Sequence, residues 1–111
     1  MAEDSGPIYS SYANDEDMAE LISMFVQELP QRVTAIEAAS RAGDLDQLKT
    51  LAHQLKGSAG SYGFQSITDV AGQLERDLKS SSPPATIESG TKALIALLRR
   101  ATDVANPELQ S

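Results

Sequence analysis

The sequence predicts an all-α protein built as an antiparallel, up-and-down bundle of helices. Apolar residues recur at spacings of three and four through most of the chain, which is the period of one buried helix face. No segment alternates between apolar and polar residues at a period of two, so no strand is predicted. The connections between the predicted helices are about two to six residues long, a length that favours antiparallel neighbours.

The first two predicted helices cover residues 16–29 and 30–42. Residues 14–17 read Asn-Asp-Glu-Asp, an N-cap followed by an acidic first turn. The apolar stripe of the first helix comprises Met18, Leu21, Ile22, Phe25, Val26 and Leu29. Pro30 is unfavourable inside a helix but suits the first position of a new one, so it marks the boundary. The second helix buries Val33, Ile36 and Ala39, and Gly43 is a natural cap for its C-terminus.

Three more helices are predicted after Gly43. Asp44 and Gln47 have the spacing of a capping box, which starts the third helix, and Gly60 and Gly63 end it. The fourth helix runs from Phe64 to Lys79 and leads into a Ser-Pro linker, and the fifth covers about 85–104. The apolar stripe of the third helix comprises Leu45, Leu48, Leu51, Ala52, Leu55 and Ala59. That of the fourth comprises Phe64, Ile67, Val70, Ala71, Leu74 and Leu78, and that of the fifth comprises Ile87, Leu94, Leu97, Leu98, Ala101 and Val104.

Composition excludes several functional classes. The 111 residues contain no cysteine and one histidine, which argues against disulfide scaffolds, thiolate nucleophiles and Cys- or His-rich metal sites. With 9 basic and 16 acidic residues the net charge is −7, which disfavours nucleic acid and anionic membrane surfaces as partners. No apolar run is long enough for a membrane helix, and the acidic N-terminus does not resemble a secretory signal, so a cytoplasmic location is predicted.

The length corresponds to one domain, assigned to residues 14–105. Residues 1–13 show no helical period and are predicted to be a flexible tail with light docking through Ile8 and Tyr9, and residues 106–111 form a second tail. A charged single-domain bundle of this kind is expected to be a monomer. Met1 and the tail favour a free-standing protein over a domain excised from a larger kinase.

One constellation on the third helix is suited to chemistry. On a helical wheel, His53 lies roughly 130° from the centre of the apolar stripe, so it is expected at the surface. Lys56 and Gly57 follow one turn later on the same face. A glycine inside a helix costs about 1 kcal/mol relative to alanine, and its benefit here is bare backbone beside the imidazole. Gly60 extends that bare strip.

This arrangement suits a phosphoryl carrier. A neutral imidazole is a nucleophile near neutral pH, and Lys56 supplies positive charge for a phosphoryl group on Nε2. Phosphoryl transfer needs mainly positioning and charge stabilisation, so one reactive residue suffices if a partner brings the metal. Taken singly, each residue has an ordinary explanation as a surface histidine, a solvated lysine or a packing glycine; the combination favours function.

The segment from His53 to Gly63, HQLKGSAGSYG, resembles the signature of histidine-containing phosphotransfer (HPt) domains of two-component phosphorelays. The resemblance covers about residues 15–104 and includes the Pro30 helix, the Ala-Gly-Asp-Leu turn before the third helix and the Leu74-Glu75 pair. Tyr62 and Phe64 depart from the smaller or aliphatic residues that are commoner there, a difference expected to affect only core packing.

The resemblance implies a four-helix bundle with an additional N-terminal helix. It implies that His53 accepts a phosphoryl group from a receiver-domain aspartate and passes it to another receiver. By the same resemblance Lys56 supports the phosphoryl group and Gly57 leaves room for the receiver. Gly60 on the bare strip and Lys49, one turn before His53, are further candidates for partner contact. The resemblance also places Glu75 on the facing helix, where family members often have a polar residue near the imidazole. Such a carboxylate could orient the Nδ1–H but would repel a phosphoryl group, and a solvated helix acid is an equally good interpretation.

The partners implied are receiver domains of response regulators or of hybrid histidine kinases, with Mg²⁺ bound only by the receiver and no cofactor in this chain. The chain has neither a P-loop nor a kinase glycine loop, so a carrier rather than an enzyme is predicted. The alternative is a non-catalytic helical adaptor that binds a partner through its surface, with His53 incidental. A general-base enzyme and a metal site lack supporting residues, and no metal ligands are predicted.

Overall fold

A computed structural model describes residues 6–107 of the chain. Within them four helices carry the fold: α1 (Ala19–Ala42), α2 (Leu45–Ser61), α3 (Gln65–Lys79) and α4 (Pro84–Arg100). Helix α2 packs against α3 and α3 against α4, and α1 contacts both α4 and α2. No helix in this part of the chain is both long and apolar enough to cross a membrane.

The predicted boundary at Pro30 is wrong, because residues 19–42 form one continuous helix with Pro30 inside it. A separate additional N-terminal helix is therefore not found among the described residues. Phe25, Leu29 and Val33 are all buried, so one apolar face runs through the proline, whose own ring is exposed. Burial of that face offsets the cost of the missing backbone donor.

The helix ends agree only partly with the predicted caps. Helix α1 begins at Ala19 without a side-chain cap, and the Asn14 side chain instead exchanges two hydrogen bonds with the Asn106 backbone, at 3.0 and 3.3 Å. Gly43 ends α1 with a φ of 68°, as predicted. The Asp44 carboxylate caps α2 by accepting the Gln47 backbone N–H at 3.1 Å. These two residues fix where α2 starts, and so which residues it presents to solvent.

A short strand pair departs from the prediction that the chain contains no strand. Strand β1 (Ile8–Tyr9) pairs in parallel with β2 (Ala101–Thr102), which ends α4 at Arg100 rather than near residue 104. Val104 accordingly lies outside the helix with 58% of its surface exposed. The segment after β1 also contacts the bundle: Ser10 is buried and donates a hydrogen bond to the carbonyl of Tyr62, in the turn that follows α2. Residues 6–13 thus lie against the bundle, whereas residues 1–5 of the predicted tail fall outside the described part.

The core lies between the four helices and is filled mostly by aliphatic side chains. Phe25 of α1 packs against Tyr62 and Phe64 in the α2–α3 turn, with ring centroids 5.1 and 5.6 Å apart. This aromatic cluster holds the end of α2 against α1. The buried apolar residues that the helices contribute include Ile22, Leu29, Ile36, Leu48, Leu55, Ile67, Leu74, Leu94 and Leu98.

Candidate functional site

His53 lies on the outer face of α2, where the helical wheel places it. Its neighbours Ala52 and Leu55 are buried in the core, while 65% of the His53 side chain is exposed. The Nδ1 edge of the ring points to α3 and lies 2.8 Å from Oε2 of Glu75. The site is therefore an exposed imidazole held on one edge by a neighbouring helix.

Glu75 is the buried anchor of this site, with only 3% of its surface exposed. Its Oε1 lies 2.7 Å from Nζ of Lys56, and its Oε2 lies 3.2 Å from Nζ of Lys79 as well as 2.8 Å from His53. The Lys56 hydrogen bond lowers the pKa of Glu75 most strongly, burial opposes this, and the contacts with Lys79 and His53 lower it further, from 4.5 to about 2. Glu75 is thus an anion at all physiological pH values.

The charge state of Glu75 determines which nitrogen of His53 carries the proton. An ionised carboxylate only accepts hydrogen bonds, so at 2.8 Å the Nδ1 of His53 must be the donor. In the neutral ring, the proton then sits on Nδ1 and the lone pair on Nε2. The nucleophilic nitrogen is therefore the one directed away from Glu75.

The side chain of Lys56 passes beside Gly72 of α3 to reach Glu75. A Cβ built on buried Gly72 would lie 3.3 Å from Cδ of Lys56, so the absence of a side chain at this position accommodates the lysine stem. The Thr68 hydroxyl of α3 also donates to the Lys56 backbone carbonyl at 3.0 Å. Gly72 thus makes room for the side chain of Lys56, and Thr68 binds its backbone carbonyl.

Neither Gly72 nor Thr68 was identified from the sequence, and Lys79 was predicted only as the end of a helix. Lys79 had a readable signal, because it follows Glu75 by four residues and such pairs are neighbours on a helix. Gly72 had a weaker one, an unexplained glycine inside a predicted helix. Thr68 had none, since a bond between helices cannot be read from local spacing.

The two glycines predicted to form a bare strip differ in their surroundings. A Cβ on Gly57 would meet no atom within 4 Å, so the space beside His53 is open. A Cβ on Gly60 would lie 3.3 Å from the Thr68 hydroxyl, so part of its space is used for packing against α3. Lys49 is half-buried one turn before His53 and takes part in none of the ion pairs within residues 6–107.

An open groove runs along the exposed face of α2 beside His53. Its lining comprises Arg32, His53, Gln54, Gly57, Ser58, Ser61 and Tyr62. Tyr62 therefore belongs to both the core cluster and the rim of the site, although its departure from the commoner residue type was expected to matter only for packing. In the part of the chain described, no group of three or more acidic or histidine side chains is placed to hold a metal ion.

Such a site is equipped for nucleophilic attack by Nε2 on an electrophile delivered by another molecule. Comparison with known proteins agrees with this chemistry: the model of the Hpt domain family matches residues 20–104. No curated protein and no solved structure gave a significant match.

Proposed function

The chain belongs to the Hpt domain family, which has a phosphotransfer role in two-component systems, and on this premise we propose that His53 carries the phosphoryl group between receiver domains. The group would arrive from a phosphorylated aspartate of one receiver and leave to the aspartate of another. The observation that carries this proposal is an imidazole side chain that is 65% exposed and whose Nδ1 lies 2.8 Å from a buried carboxylate.

The transfer step follows from this geometry. The Nε2 lone pair forms a bond to phosphorus while the bond from phosphorus to the aspartyl oxygen breaks, and the receiver carboxylate leaves with the electron pair. The imidazole ring, still protonated on Nδ1, gains a positive charge. The Glu75 carboxylate accepts the Nδ1–H bond and compensates this charge as it develops. The reverse transfer to a second receiver returns the ring to its neutral state.

The negative charge of Glu75 does not make the site repel phosphate. Two lysines, Lys56 and Lys79, contact the single carboxylate, so the cluster with a neutral His53 carries a net positive charge of one. Glu75 also contacts the ring at Nδ1, on the side away from the entering group. In this proposal Glu75 is a positioning residue, and Lys56 supplies positive charge for the phosphoryl oxygens.

Gly57 would provide the space for the receiver. Any side chain there would project into the open region beside His53, where the helix backbone is bare. We assign Gly57 to partner docking, together with Gly60 and Lys49 as peripheral contacts. Receiver docking around one exposed residue predicts a transient complex of modest area, with Mg²⁺ bound by the receiver.

The chain would act as a carrier without kinase activity of its own, as a monomer in the cytoplasm. The antiparallel, up-and-down order of the four helices is likewise a prediction, supported by the short connections between them. A folded protein that no receiver labels would favour the adaptor function instead.

Phosphoryl transfer from a panel of radiolabelled receiver domains tests the proposal. Wild-type protein should acquire acid-labile label, whereas His53→Ala should acquire none. Gln47→Ala, which alters an exposed residue of α2 outside the groove, is the matched control and should keep at least half of the wild-type rate. Label on His53→Ala, or no label on folded wild type from any receiver, would refute the carrier function.

A further inference from the structure

Accepting the proposed function, we propose that Arg32 of α1 is a second cationic contact for the phosphoryl group on His53. Local sequence patterns do not single this residue out, because it lies 21 positions before His53 on a different helix. In the structure Arg32 and His53 line the same groove. Lys56 and Lys79 both contact Glu75 of α3, whereas Arg32 belongs to α1.

The Arg32 guanidinium has unused hydrogen-bonding capacity. Its Nε is buried and has no hydrogen-bond partner among residues 6–107, although most buried polar atoms in proteins have one. Its ion pair with Glu28 is loose, with Nη2 3.7 Å from Oε1, and the Glu28 side chain is 57% exposed. With 25% of its side chain exposed and only a loose pairing to an exposed carboxylate, Arg32 keeps Nη donors available for an anion that enters the groove.

The charge introduced by phosphorylation calls for such a donor. A phosphoryl group adds between one and two negative charges near neutral pH, by analogy with other phosphorylated side chains. Both lysines of the site already contact Glu75, at 2.7 and 3.2 Å. Arginine presents planar, paired donors that match two phosphoryl oxygens, and it keeps its charge at all relevant pH values. Gly57 lines the same groove, and among the described residues no atom lies within 4 Å of the position its Cβ would take, so the groove is open there.

The pKa of the second ionisation of the phosphoryl group depends directly on nearby positive charge. We would phosphorylate His53 chemically with phosphoramidate and follow the ³¹P resonance of the full-length protein against pH. Removing a neighbouring positive charge stabilises the protonated phosphoryl form, so Arg32→Gln should raise this pKa by about half a unit. The same change should shift the transfer equilibrium away from His53 about threefold, which is the factor that half a unit represents.

Two further variants separate a direct charge effect from a structural one. Arg32→Lys keeps the positive charge, so the pKa of the phosphoryl group on His53 should stay close to that of wild type. Arg41→Gln makes the same substitution at an exposed position nine residues along α1 and should have no effect. Thermal unfolding and the imidazole resonances of the unphosphorylated proteins show whether each variant keeps the fold and the His53–Glu75 contact.

The outcomes distinguish this inference from the proposed function. If receivers label wild type but the phosphoryl pKa is identical in wild type and folded Arg32→Gln, the inference is overturned. It is also overturned if only the rate with the receiver changes, since Arg32 would then contact the receiver protein. If Arg32→Gln has lost the fold, Arg32→Met, which keeps the apolar stem without the charge, decides: a rise of about half a unit supports the contact, and a pKa identical to that of wild type refutes it. Failure of the carrier function would appear separately, as wild-type protein that no receiver labels.

Discussion

Glu75→Gln tests whether the buried carboxylate, as an anion, stabilises the fold. The substitution keeps the shape and one oxygen acceptor but removes the charge that Lys56 and Lys79 contact at 2.7 and 3.2 Å. Folding lowers the pKa of Glu75 from 4.5 to about 2, and each pKa unit corresponds to about 1.4 kcal/mol of unfolding free energy. The upper limit is therefore about 3 kcal/mol. Because the two lysine side chains are 39% and 60% exposed, solvent screening reduces our expectation to about 1–2 kcal/mol.

The stabilisation has a defined pH dependence. Because the folded-state pKa lies below the unfolded one, the contribution is complete above about pH 5 and is lost as the pH falls through 4.5 towards 2. Urea unfolding followed by circular dichroism should thus show wild type more stable than Glu75→Gln at pH 7, with the difference shrinking by about pH 3. Comparing the two proteins at each pH cancels the titration of the other carboxylates they share.

Glu88→Gln provides a matched control. Glu88 also pairs with a lysine four residues away, but at 3.6 Å and with 68% of its side chain exposed, so its loss should change stability by less than about 0.5 kcal/mol. A Glu75→Gln difference that is equally small, or that stays constant between pH 7 and about pH 3, would show that the carboxylate does not stabilise the fold as an anion.

Three substitutions test neighbouring features. Gly57→Gln should raise the unfolding free energy by about 0.5–1 kcal/mol, because no atom lies within 4 Å of the new Cβ, yet slow receiver transfer; normal transfer would contradict the docking role. Gly63→Ala should cost about 1–3 kcal/mol in thermal unfolding, because φ is +83° and the new Cβ would lie 2.6 Å from Oγ of Ser10; wild-type stability would contradict this close packing. Thr68→Val should cost about 1 kcal/mol in urea unfolding through loss of the 3.0 Å bond to the Lys56 carbonyl, and an unchanged midpoint would count against that bond.

Most helices were predictable because their buried residues recur with the period of a helix. The error in the first helix arose where the local preference of a residue for ending a helix was outweighed by burial of the apolar face. Pro30 is a strong helix breaker locally, but the buried face through Leu29 and Val33 keeps α1 continuous. The strand pair was not predictable, because Ile8 and Ala101 are 93 residues apart and each strand has only two residues. No window of local pattern contains enough information for so short a pairing.

The candidate site was predictable only along one helix. The exposure of His53 and the open space at Gly57 follow from the wheel of α2. The 2.8 Å contact between His53 and Glu75 joins residues 22 positions apart, so the sequence could suggest it only through resemblance. The position of Arg32 in the groove depends on how α1 packs against α2, and side-chain packing between helices leaves no signal in local spacing.

The strand pair also brings the two ends of the described chain to one place. Ile8 pairs with Ala101, Arg100 donates to the Gly6 carbonyl at 2.7 Å, and Asn14 is bonded to Asn106. A short linker between these ends would permit a circular permutant opened in the turn between α3 and α4, at Ser80–Pro83. Since α2 and α3 stay contiguous in such a permutant, His53, Lys56 and Glu75 keep their local chain neighbours. The domain is therefore a good candidate for insertion into a loop of another protein.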